Sequence, residues 1–73
     1  MGPNNNMTEA RVVFEGKTEN VSFSGRKSVM DVLRMAGVNP DIVLIRREGK
    51  IIPDDTPVKK GDRLEAMKIV SGG

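Results

Sequence analysis

The chain has no cysteine, histidine, tryptophan or tyrosine, and only two phenylalanines in 73 residues. Without cysteine there are no disulfides and no thiolate nucleophile. Without histidine the side chain that titrates nearest neutrality is gone, and with cysteine missing too, so are the commonest metal ligands. A catalytic site would have to be built without these groups, so the chain is not expected to be an enzyme. Long apolar runs are also missing. None approaches the roughly 20 residues of a membrane span, and the start lacks the basic-then-apolar pattern of a signal peptide. No membrane is expected, and the cytoplasm is the expected compartment. There the sequons Asn6-Met7-Thr8 and Asn20-Val21-Ser22 are accidental. An excess of one charge is absent as well: twelve Lys and Arg interleave with ten Asp and Glu, a net +2 that by itself points to no polyanion. Phe14 and Phe23 are the sole aromatics. Both fall at strand positions expected to face inward, which leaves no platform for stacking bases.

A chain of this length has room for one core and buries roughly 60% of the surface its unfolded form exposes, so one small, monomeric domain is expected. "MGPNNN" is polar and aperiodic, and Met1 to Asn6 (1–6) read as a flexible extension or expression remnant, with Met7 the expected native start. In "ARVVFEGKTENVSF" two β-rich runs alternate Val12 with Phe14 and Val21 with Phe23, and Gly16-Lys17 is expected to turn the hairpin between them. The period then changes. Val29, Val32, Leu33 and Ala36 fall at i, i+3, i+4 and i+7, one face of an amphipathic helix. Ser28 with Asp31 makes a capping box at its start, and Gly37 followed by Pro40 marks its end. A strand is expected from about Ile42 to Arg47, then a tight turn at Glu48-Gly49 and a short strand at Ile51-Ile52 that Pro53 ends. Because Ile42 to Ile45 are all apolar, that strand is expected to be covered by the helix on one face and partly screened on the other. Last, "RLEAMKIV" sets Leu64 and Ala66 against Glu65 and Met67, a strand with one face inward. The order is ββαββ(β): an α+β mixed sheet with one helix on a single face, spanning 7–69, followed by Val70, Ser71, Gly72 and Gly73 as a flexible tail (70–73).

The capped helix at Ser28 to Gly37, "REGKIIP" at Arg47 to Pro53, "KKGDRLE" at Lys59 to Glu65 and the closing "VSGG" are singly weak signals. In this order they resemble the β-grasp proteins of the ubiquitin-like superfamily, above all the small sulfur carriers of thiamine and molybdopterin synthesis (ThiS and MoaD type) and the small archaeal ubiquitin-like modifiers. The resemblance implies a partner of the ubiquitin-activating class, an adenylyltransferase that uses ATP and Mg²⁺ to adenylate the terminal glycine. The activated carbonyl would then become a thiocarboxylate, donating sulfur to an accepting synthase, or pass to a lysine amine of a target protein as an isopeptide bond. The residues do not separate these two fates.

The chemistry of the tail is consistent with this. A terminal carboxylate, with a pKa of roughly 3.3–3.7, is an anion at neutral pH and a poor electrophile until activated. Glycine has no Cβ, so Gly72 and Gly73 suit a narrow channel, with Gly73 as the reacting residue, Gly72 as the spacer and Ser71 and Val70 as an extended stem. Taken alone, the dipeptide reads equally well as a frayed end or cloning remnant. The β-grasp order before it favours the functional tail. Leu44, Arg46 and Met67 are docking candidates if Leu64 and Ala66 face the helix, whereas a register slip of one residue would invert the faces. Gly16-Lys17-Thr18 looks like the end of a phosphate-binding loop, but Arg11 stands where that motif needs glycine. Asp54, Asp55 and Asp62 lack ligand spacing, so no metal is expected. Arg46, Arg47, Lys50, Lys59 and Lys60 could form a basic surface. The competing function class is therefore a β-grasp interaction or RNA-binding module with an inert C-terminus.

Overall fold

Ser28 determines where the helix starts. In the computed structural model, which describes residues 7–69, its hydroxyl accepts the Asp31 amide at 3.4 Å, while its own amide and hydroxyl donate to Asp31 Oδ2 at 3.1 and 2.9 Å. This is the expected capping box, and helix α1 (Val29–Met35) follows it. The next orphan donors of the first turn are also met: Val29 N–H bonds Thr56 O and Met30 N–H bonds Asp54 O, both at 2.9 Å. The loop before the last strand is thereby tied across the helix start. At the other end Gly37 takes φ +83°. Its amide donates to Arg34 O, and that of Val38 to Leu33 O, the paired bonds of a Schellman stop.

Five strands form one mixed sheet: β1 (Thr8–Phe14), β2 (Lys17–Phe23), β3 (Val43–Arg47), β4 (Lys50–Ile52) and β5 (Arg63–Lys68), in the spatial order β2-β1-β5-β3-β4. The first and last strands run parallel at the centre, and the other neighbours are antiparallel. Alternation sends Ala10, Val12, Val21, Phe23, Val43, Ile45, Leu64 and Ala66 to one face, where they close the core against Val29, Val32 and Leu33 of α1, with Val38 and Val58 from the loops. Phe23 is buried, and Phe14 packs half-buried at the edge of the same cluster.

Three expectations need correction. The first hairpin turns at Glu15-Gly16, with φ of +49° and +79°, rather than at Gly16-Lys17, and Lys17 already pairs with Phe14. A two-residue hairpin loop with both residues left-handed favours glycine second, and Gly16 occupies that place. The middle strand starts at Val43 rather than Ile42, because Asn39 Oδ1 accepts the Asp41 amide at 2.9 Å and winds Pro40–Ile42 into a 3₁₀ turn. Its second face is not screened: Val43 and Ile45 are buried, whereas Leu44 is 47% exposed. The extension 1–6 and the tail residues Val70, Ser71, Gly72 and Gly73 lie outside the described residues.

Candidate functional site

The root of the tail is within the described residues. Beyond β5, the Ile69 amide donates to Ile42 O at 2.8 Å, one step further in the β3–β5 register that sets Val43 opposite Lys68 and Leu44 opposite Met67. The last described residue is thus held at the sheet corner beside the 3₁₀ turn, and Val70 follows it in sequence.

The three docking candidates share the face away from the helix. Leu44 lies opposite Met67, and Arg46 lies opposite Glu65. Arg46 Nε donates to Glu65 Oε1 at 2.8 Å. That guanidinium, with a further contribution from Arg63, holds the Glu65 carboxyl below its ordinary pKa. Sequence reasoning missed three neighbours on the open side. Ile69 is 47% and Ile42 40% exposed at the tail root, and Ile51, opposite Arg46 on β4, is 55% exposed. Ile69 could have been found by continuing the alternation of Glu65 and Met67. Ile42 and Ile51 depend on pairings that alternation within one strand does not reveal. The result is an apolar strip of Leu44, Met67, Ile42 and Ile69 that reaches the tail root. A sheet covered on one side leaves such a strip facing water unless a partner covers it.

The other candidate features do not assemble into sites. Gly16 lies in the hairpin turn and Lys17-Thr18 open a strand, so the helix that a phosphate-binding loop requires is missing from that place. Asp62 is engaged by Arg47 Nη1 at 2.9 Å and by the Lys59 amide at 2.8 Å. Among the described residues no three carboxylates gather as a metal cage. Arg46 and Arg47 fall on opposite faces of β3 and each is ion-paired, which divides the basic surface the sequence suggested.

Comparison with known proteins decides the family. The model of the ThiS family matches residues 7–73. The chain belongs to the ThiS family. Among solved structures, the thiamine biosynthesis protein ThiS from Geobacter metallireducens is similar at a TM-score of 0.59 and 25% identity, over 86% of this chain and 99% of that one. As a ThiS-family β-grasp protein, the chain is a small sulfur carrier and not itself a catalyst. That role is consistent with the side chains it lacks: a carrier needs a deliverable end and a recognisable surface, and the acid-base groups can belong to its partner.

Proposed function

We propose that the Gly73 carboxylate is the sulfur-bearing group. An oxygen of this carboxylate attacks the α-phosphorus of ATP in the active site of an adenylating partner. The new O–P bond forms as pyrophosphate leaves, giving an acyl-adenylate. A hydrosulfide equivalent then attacks the carbonyl carbon and expels AMP, leaving the thiocarboxylate that a synthase consumes. A lysine amine attacking the same adenylate would give an isopeptide bond instead. The ThiS-family match favours sulfur. ATP and Mg²⁺ are assigned to the partner, and a cytoplasmic site of action goes with an ATP-consuming reaction.

The observation that carries this reading is the open-face strip of exposed Leu44, Ile42 and Ile69 with half-buried Met67 among them, ending where the tail begins. With that strip docked, four extended residues reach about 13 Å beyond Ile69, enough to bring Gly73 into a buried pocket. Arg46 lies on the same face and is assigned to the docking rim, where its ion pair with Glu65 presents it in a fixed position.

Incubating the chain with the adenylating enzyme of its own cells, ATP and Mg²⁺ is expected to release pyrophosphate and yield an adenylate on Gly73. Deleting Gly73 is expected to abolish that release with the melting temperature unmoved, because the buried core closes at Ala66. Equal pyrophosphate release from the deleted chain would refute the assignment.

A further inference from the structure

Arg11 of β1 stands directly beside Arg63 of β5 in the parallel register, on the face opposite the helix. Adjacent strands lie about 4.8 Å apart, so two guanidinium stems rise from neighbouring backbone positions. Both side chains are exposed. Like charges placed in this way oppose sheet formation, and the nearby carboxylates do not resolve the conflict. Asp62 is held by Arg47 and the Lys59 amide. Glu65 takes Arg46 at 2.8 Å and leaves Arg63 a 3.5 Å contact. Among the described residues Arg11 makes no ion pair, nor does Glu9, the other carboxylate on this face of β1. Along β5 the open face then reads Arg63, Glu65, Met67 and, by the same alternation, Ile69. Charge lies at its start and apolar surface where the tail departs, with Arg63 and Met67 about 13 Å apart at the usual rise per residue.

We propose that Arg11 and Arg63 receive carboxylates of the adenylating partner, placed about 13 Å from the apolar spot that covers Leu44 and Met67. This rests on the sulfur-carrier reading above and specifies the partner surface that reading requires. The repulsion present in the free chain is relieved when acids enter between the two guanidinium groups. An acidic protein surface fits better than a nucleic acid, because exposed Leu44 and half-buried Met67 share this face with the arginines while both phenylalanines pack on the other. Charge at one end and apolar surface at the other also fix the direction in which β5, and so the tail, meets the enzyme. Charges of this kind act mainly on association rate and partner choice.

The test is stopped-flow association of the full chain with the adenylating enzyme of its own cells, over about 0.02 to 0.3 M salt. It compares wild type, Arg11→Thr and the double variant Arg11→Glu/Arg63→Glu, with melting curves on the same samples. The wild-type rate is expected to fall as salt rises. The double variant is expected to associate about 10- to 100-fold more slowly at low salt and to converge with wild type at high salt. Arg11→Thr is expected to melt a few degrees higher while associating more slowly. A double variant that associates as fast as wild type at low salt, with wild-type adenylation intact, overturns the arginine assignment and leaves the carrier reading standing. A wild-type chain that neither associates nor becomes adenylated overturns the carrier reading and this proposal with it.

Discussion

Asp31 acts through bonds to its cap. The Ser28 amide and then the Ser28 hydroxyl donate to its carboxylate and hold it below its ordinary pKa of 3.8, with smaller help from Lys27 and Arg34. Glu65 is likewise held below 4.5 by Arg46. Each carboxyl binds its proton more weakly in the folded chain than in the unfolded one. Their contributions are therefore fully present above those ordinary values and are lost as pH falls through the lower folded ones. Replacing Ser28 by Ala removes both the cap acceptor and the hydroxyl donor. A loss of about 1 kcal/mol of unfolding free energy, measured by denaturant titration at pH 7, is expected, shrinking as pH falls below about 4 because the protonated acid no longer gains from the cap. A loss that stays constant through the acid limb would separate the cap from the titration.

At the scale of elements, the two hairpins share one device. Glu15-Gly16 and Glu48-Gly49 turn with both residues left-handed, and in each the first is a glutamate, at φ +49° and +53°. Asparagine visits that region more readily than residues with longer side chains. Glu15→Asn is accordingly expected to stabilise the chain by on the order of 1 kcal/mol in equilibrium denaturation, with no change in adenylation. No gain, or a loss, would mean that Glu15 makes a contribution other than its turn geometry.

The helix was legible from end to end because its signals are local: Ser28, Asp31 and Gly37 act within a few residues of one another. The inward faces of the last strand were legible for the same reason, since Leu64 and Ala66 alternate within one segment, and this put Leu44, Arg46 and Met67 on the correct side. The first hairpin is ambiguous by one residue in the sequence because Glu15-Gly16-Lys17 holds two overlapping two-residue loops, and only the preference for glycine second separates them. At Ile42 the apolar run reads as strand and hides the asparagine-headed turn in front of it. The exposure of Ile42 and Ile51 and the meeting of Arg11 with Arg63 depend on pairing between strands distant in sequence, which no local pattern encodes.

At the scale of the whole molecule, the fold supplies a platform, and the end proposed to react follows it in sequence. One side of the sheet is spent on the core. The other carries arginines at one end and an apolar strip at the other, beside the departure point of the tail. Leu44→Glu tests the strip, because Leu44 is half-exposed outside the buried core and a charge there is expected to leave the fold intact. Adenylation at limiting enzyme is expected to fall at least about 10-fold, with an unchanged melting temperature. Full activity in this variant would move docking to another surface.

The central claim, that sulfur is carried on the Gly73 carboxylate, is tested most directly by the intact mass of the protein purified from its own cells. Replacement of oxygen by sulfur adds about 16 Da, as does one sulfoxide on any of the five methionines, so the shift must be mapped by fragmentation. The account predicts a gain confined to the fragment ending at Gly73 and increased further by a thiol-alkylating reagent. A terminal fragment of unshifted mass that takes up no reagent, in cells actively transferring sulfur, would contradict it.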